Sequence, residues 1–321
     1  MHKQMTLFFA VALAGFTTVS TAQAEEWPTR PIRAIVPLSA GSAVDIIPRI
    51  VFEQLSKQLK QSIIVENRPG ASGTIGARVV TAAEPDGYTI LAHSSALVIA
   101  PSTVANVPYD AIKDLAPVAA LGNLPLVLVV SPSKNIKTIQ EFVALGKQRP
   151  ITYGSIGVGS PIQLAMERLR LSAGFKAQPV SFRGAPEALV EAMTGRIDTY
   201  YSPVLPALPL IREHKLVPLV VSSPIRSPVL PDVPTSEEAG YSNSAYRFWI
   251  GIFAPAKTPS AIIDKLSKEI EMALQVPEVQ QKLAKLGVQS MSMNSKQFAE
   301  FVKQDLIVNT ELAKAAGISV H

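Results

Sequence analysis

Pro37-Leu38-Ser39-Ala40-Gly41-Ser42-Ala43-Val44-Asp45 follows a short apolar run and opens a segment with helical spacing. Much later, Tyr153-Gly154-Ser155-Ile156-Gly157-Val158-Gly159-Ser160-Pro161 does the same. Both stretches are rich in Gly, Ala and Ser, so backbone N–H groups can come close to a ligand. A helix N-terminus reached through such a turn attracts anions, through its unpaired N–H groups and its dipole. Two such turns on two lobes predict a clamp for a molecule with one or two anionic ends.

Around the first turn, Ile32 to Pro37 reads as a strand. Asp45 to Lys60 reads as a helix, with apolar residues at Ile47, Ile50, Val51 and Leu55. Proline is tolerated in a first helical turn, so Pro48 points to Asp45 rather than Ser42 as the N-cap. Around the second turn, Ser160-Pro161-Ile162-Gln163 is a helix start, with Ser as cap, Pro first and Gln third. Gly174 is the matching stop. Strand-like and helix-like segments alternate through most of the chain, which predicts α/β lobes with mostly parallel sheets. Ligands in such sheets sit at the carboxyl ends of the strands, where both glycine turns lie. The Pro- and Ser-rich stretch from Ser222 to Pro234 reads as a linker.

Composition narrows the function classes. His2 and Lys3 head an apolar stretch from about Leu7 to Val19, and Ala22-Gln23-Ala24 has the small-x-small pattern of a cleaved export signal. The 321 residues contain no cysteine, so no disulfide or thiolate metal site is expected. The four histidines show no metal-ligand spacing, and no cofactor is expected. Charged residues make up only 17% of the chain and are scattered, with a net charge of +5, so no nucleic-acid partner is expected.

An ordered set of motifs carries a family likeness: Trp27-Pro28-x-Arg30-Pro31-Ile32, the first turn, Glu66-Asn67-Arg68-Pro69-Gly70-Ala71-x-Gly73-x-x-Gly76, Pro85-Asp86-Gly87-Tyr88-Thr89, Tyr153-Gly154-Ser155, Arg183-Gly184-x-Pro186, Arg226-Ser227-Pro228 with Leu230-Pro231-Asp232-Val233-Pro234-Thr235, and Trp249-x-Gly251 with Ala254-Pro255. The chain resembles the extracytoplasmic solute receptors of tripartite tricarboxylate transporters, the Bordetella (Bug-type) group included. The resemblance implies a type II periplasmic-binding-protein fold, in which two α/β lobes close around a small carboxylate. With the export signal taken as residues 1–24, the lobes would be 25–122 plus 222–321 for the first and 123–221 for the second. The partners implied are a small-molecule carboxylate and the membrane permease subunits of a tripartite transporter, served from the periplasm by a monomer.

Carried over by position, the ligand contacts would be Ser39, Gly41, Ser42, Ala43, Val44 and Asp45 in the first turn. In the second they would be Ser155, Ile156, Gly157, Val158, Gly159 and Ser160. His93, Ser94, Ser95, Phe182, Arg183 and Ser202 complete the set. Each also has a plainer reading. Asp45 suits a helix cap better than an anion contact. Gly157 and Gly159 suit turn geometry as well as anion binding. His93 suits a structural role as well as a ligand contact. Arg183 fits a surface ion pair or a substrate carboxylate. Trp249 belongs in the core.

The chain departs from the family at Leu38, where an aromatic residue is usual, at Gly41-Ser42 in place of a Gly-Gly pair, and at Ser202-Pro203. With Val44 and Val158, these departures predict a roomier, more apolar pocket, suited to an aromatic dicarboxylate of the phthalate type. The alternative is an aliphatic C4–C6 di- or tricarboxylate. Two rival classes fare worse. A serine hydrolase needs Gly-x-Ser-x-Gly, and here Tyr153 stands outside the pattern, with only His214 or His321 available downstream. The ligand-sensing domain of a regulator would not carry an export signal.

Overall fold

The computed structural model describes residues 27–318 and residue 320. The signal segment and His321 lie outside the described residues. Strand β1 (Ile32–Val36) leads through the first glycine turn into α1 (Ala43–Leu59), then β2 (Ile63–Asn67), α2 (Thr74–Thr81), β3 (Thr89–Ser94), α3 (Ala96–Thr103) and β4 (Leu115–Asn123). The chain then enters a second unit: β5 (Leu126–Val130), α4 (Ile139–Gln148), β6 (Ile151–Ser155), α5 (Pro161–Ala173), β7 (Ala177–Ser181), α6 (Ala185–Met193), β8 (Thr199–Pro203), α7 (Val204–Arg212) and β9 (Val217–Val221). It returns as β10 (Trp249–Pro255), α8 (Ser260–Gln275), α9 (Pro277–Lys285) and α10 (Ser295–Ala315).

Two five-stranded sheets result, ordered β2-β1-β3-β10-β4 and β7-β6-β8-β5-β9. In the first, β1 runs parallel to β2 and β3, and β10 antiparallel to β3 and β4. In the second, β6 runs parallel to β7 and β8, and β5 antiparallel to β8 and β9. The sheets are thus mixed rather than mostly parallel, because each accepts an antiparallel strand where the chain crosses between units. This is the bilobed α/β architecture of type II periplasmic-binding proteins. Each lobe has a parallel β-α-β core with its glycine turn at the carboxyl end of the central parallel strand.

The stretch read as a linker is anchored by buried serines, Ser222, Ser223 and Ser227, while Pro224, Ile225 and Arg226 between them are exposed; Ser236 and Ser244, just beyond it, are also fully buried. The Ser222 amide donates to Leu126 O, its hydroxyl to Tyr246 O, and the Tyr246 amide back to Ser222 O. Small hydroxyl side chains satisfy this crossing backbone where water cannot.

Local chemistry explains the helix starts near the cleft. Ser160 caps α5 by accepting the Gln163 amide at 3.3 Å, Pro161 takes the first position, and Gly174 ends the helix at φ 69. In α1 the N-cap is Ser42, not Asp45, and Pro48 lies inside the helix. Tertiary bonds made by Asp45, described below, outweigh the one intrahelical bond that Pro48 removes.

Trp249 is in the core, as expected, with Phe253, Phe298 and Phe301 around it. Its Nε1 donates to Asp305 Oδ2 at 2.8 Å. Burial pushes the Asp305 carboxyl up to about 6, against the pull of Trp249, Asn309, Arg168 and Arg247. A carboxyl raised in the folded state contributes stability below its unfolded value, near 4, and loses it as pH rises through about 6. Asp305→Asn keeps an acceptor for Trp249 and removes the charge. It should stabilise the protein by about 1–2 kcal/mol at pH 7.5 and by nothing near pH 4. Thermal unfolding of both proteins at the two pH values checks this.

Candidate functional site

Asp45 organises the first turn. Its Oδ2 accepts the Gly41 amide at 2.9 Å, and its Oδ1 accepts Arg49 Nε at 2.8 Å and Asn67 Nδ2 at 2.9 Å. Asn67, at the end of β2, also donates to Leu38 O at 2.9 Å. The turn is therefore stapled at both ends by the first helix and the neighbouring strand. Burial pushes the Asp45 carboxyl up, but the bonds from Gly41, Asn67 and Arg49 outweigh it and hold it below its ordinary value. A charged carboxylate with every oxygen engaged positions the turn. The amides of Ala43 and Val44, the first two of α1, precede the first helical bonds to Ser42 O and stay available as donors.

The second turn is tied from within. Ser155 Oγ donates to Gly157 O at 3.0 Å and accepts the Gly157 amide at 3.3 Å. Gln163 Oε1 reaches back to accept the Gly159 amide at 2.8 Å. Gly157 and Gly159 sit at φ 131 and 70, where a side chain is strained. Hydroxyls expected to face a ligand thus hold the turn, and the amides of Ile156 and Val158 are free of bonds among the described residues.

A cavity of about 110 Å³ lies between the lobes. From the first lobe it is lined by Leu38, Ser72, Ser94, Ala96, Ala100, Thr103, Val104 and Phe248, and from the second by Ile156, Val158, Gly159, Ser160, Pro161 and Ile162. Its wall is mainly apolar. The lobes meet tightly where Gly159 faces Thr103, at the end of α3. A Cβ on Gly159 would lie 2.0 Å from Thr103 Oγ1 and 2.2 Å from Thr103 Cβ.

Of the expected contacts, Ser94, Ile156, Val158, Gly159 and Ser160 line this cavity. Ser39, Gly41, Ser42, Ala43 and Val44 belong to the turn beside it, with Leu38 as that turn's wall residue. His93 is buried at the end of β3, and its Nδ1 accepts the Ser94 amide at 2.8 Å. Burial pushes it down to about 4, so the imidazole is neutral. Ser95 is buried at the N-cap of α3. Ser202 donates to Pro203 O at 2.8 Å. Phe182 is half-buried after β7, and Arg183 is exposed, its amide donating to Glu187. Ser72, Thr103, Val104 and Phe248 were not anticipated. Thr103 ends a mainly apolar helix with no amphipathic signal, while Ser72 stood in a quoted turn, where its Gly-rich setting was the available clue.

The hydrolase geometry is absent among the described residues. Ser155 donates within its own turn, and Asp198 is engaged by Arg149 and Lys134 rather than by a histidine.

The model of a family described as "Tripartite tricarboxylate transporter family receptor" matches residues 47–318. The chain belongs to this family. It is a periplasmic solute receptor, not an enzyme. A UPF0065 protein of Bordetella bronchiseptica is 34% identical to this tripartite tricarboxylate receptor over 98% of its length and 93% of the relative's. Protein BugT of Bordetella pertussis is 31% identical over 92% and 91%. Among solved structures, R. palustris Rpa4515 with adipate superposes with a TM-score of 0.84 at 26% identity, covering 92% of this receptor and 99% of that chain. The periplasmic binding protein BugD gives 0.80 at 29%, covering 91% and 99%. MatC from Rhodopseudomonas palustris with bound malate gives 0.78 at 28%, covering 89% and 99%.

Proposed function

We propose that this receptor captures a linear aliphatic dicarboxylate of about C4–C6 by closing its two lobes, and delivers it to the permease subunits of a tripartite transporter. The observation that carries the reading is the mainly apolar interlobe cavity between two amide-bearing turns. Such a wall suits a methylene chain, and the free amides suit its carboxylate ends. Relatives solved with adipate and with malate support the class. The aliphatic reading is preferred to the aromatic one because the relatives solved with a ligand hold open-chain acids, adipate and malate.

In this reading the moving bodies are residues 25–122 plus 222–321 and residues 123–221. The receptor works as a monomer after loss of residues 1–24. The two turns with His93, Ser94, Ser95, Phe182, Arg183 and Ser202 remain the proposed contact region, with Asp45 holding the first turn in place. Closure follows from differential affinity, since a ligand that touches both lobes favours the closed state.

A binding panel on refolded, ligand-stripped protein tests the class. Adipate, succinate, malate, citrate, phthalate and terephthalate would be compared by thermal unfolding. A ligand at ~100 times its dissociation constant should add about 2.7 kcal/mol. Stabilisation by adipate or its shorter homologues is expected. Stabilisation by the phthalates alone would overturn the aliphatic reading, and none from any carboxylate would overturn the carboxylate cleft.

A further inference from the structure

Four hydroxyl side chains line the interlobe cavity: Ser72, Ser94, Thr103 and Ser160. Three have work elsewhere. Ser94 Oγ accepts the Ala96 amide, Thr103 Oγ1 donates to Ile99 O, and Ser160 Oγ caps α5. Ser72 alone of the four makes no hydrogen bond among the described residues, and it is exposed to the cleft.

Its backbone is as unusual as its isolation. Gly70, Ala71, Ser72 and Gly73 have φ of 131, 46, 56 and 90, four positive values in a row, two of them on residues with a Cβ. L-residues disfavour this region, and such strain gathers at functional positions. Two bonds close the turn, from the Gly73 amide to Gly70 O at 2.9 Å and from the Thr74 amide to Ala71 O. The amides of Ala71 and Ser72 have no acceptor among the described residues. Successive free amides in a left-handed turn form a concave donor surface suited to an anionic oxygen.

The turn is fixed in place. It leaves the carboxyl end of β2, beside the first glycine turn on β1, with Ser94 on β3 beyond. Gly73 rests on His93, where an added Cβ would lie 2.7 Å from Nε2. The imidazole beneath is neutral, so it adds no charge of its own to attract an anion.

We propose that Ser72 is a specificity-determining residue of the cleft. Its hydroxyl and the Ala71 and Ser72 amides receive the polar group at the first-lobe end of the ligand, so they distinguish a dicarboxylate from a monocarboxylate of equal length. This rests on the proposed aliphatic ligand. Calorimetric titration of adipate and hexanoate into the wild type, Ser72→Ala and Ser72→Gly tests it. The wild type should favour adipate at least tenfold. Both variants should lose about five- to tenfold in adipate affinity and keep their hexanoate affinity. Ser72→Gly should also melt higher, because glycine relieves the strain, which separates the lost contact from lost folding. Unchanged adipate affinity in both variants would overturn the assignment with the receptor reading intact. A wild type that binds neither acid would take down the ligand reading itself, and this inference with it, before any variant is compared.

Discussion

Gly159→Ala should weaken ligand binding by roughly 5- to 150-fold. The added methyl would lie 2.0–2.6 Å from the Thr103 side chain across the cleft. Overpacking at a tight contact costs about 1–3 kcal/mol, and every 1.4 kcal/mol is tenfold in affinity. The cost falls on the closed state alone, since separated lobes relieve it. Alanine at φ 70 carries a further penalty, which belongs to the turn itself and not to the contact across the cleft, so this part should appear in stability rather than in affinity. The two parts can be told apart. Thr103→Gly removes the opposing side chain, and the double variant Thr103→Gly/Gly159→Ala should regain most of the lost affinity while keeping the lowered melting temperature. A double-mutant cycle by calorimetry measures this coupling. Additive losses would show that the two residues do not meet when ligand is held.

Asp198→Ala should cost about 3 kcal/mol of stability and leave ligand preference unchanged. The Asp198 side chain is 4% exposed. It accepts both guanidinium nitrogens of Arg149 at 2.8 and 2.7 Å, Lys134 Nζ at 3.1 Å, and the Thr152 amide and hydroxyl at 2.9 and 3.1 Å. Removing one partner of a buried ion pair costs about 3–5 kcal/mol. Arg149 and Lys134 can turn partly to water, so the lower end applies. Burial pushes the Asp198 carboxyl up, but the bonds from Arg149, Thr152 and Lys134 outweigh it and hold it well below the carboxylate range. Its contribution is therefore complete above pH 4 and is lost as pH falls further, through the depressed folded value. Urea unfolding at pH 7 and pH 3 should show a gap between variant and wild type that narrows in acid. Ligand preference is spared because Asp198 precedes the amino end of the central strand β8, which runs parallel to β6, so it lies at the end of the sheet away from the cleft.

What was legible in the sequence was local. Ser160, Pro161, Gln163 and Gly174 start and stop α5 because capping needs only neighbours in the chain. The two glycine turns were placed correctly at strand ends because an apolar run, a turn and an amphipathic segment follow each other within a few residues. What was hidden depends on distant partners. Strand β4, Leu-Ala-Pro-Val-Ala-Ala-Leu-Gly-Asn, shows neither alternation nor β-branched richness, and it forms because β10 pairs with it from far along the chain. Helix α3 is apolar from Ala96 to Pro101 and polar only at Ser102 and Thr103, so it has no period to read. The α1 cap went to Ser42 because Asn67, on another strand, engages Asp45. The cleft wall shares this limit, since Ser72, Thr103 and Phe248 become neighbours of Gly159 only through the double crossing.

In this account the receptor holds a carboxylate between lobes that close upon it. Small-angle X-ray scattering of the refolded, ligand-stripped protein, before and after saturation with adipate, tests it most directly. A smaller radius of gyration and a narrower distance distribution on saturation are predicted. Adipate bound in calorimetry with no change in the scattering profile would contradict closure.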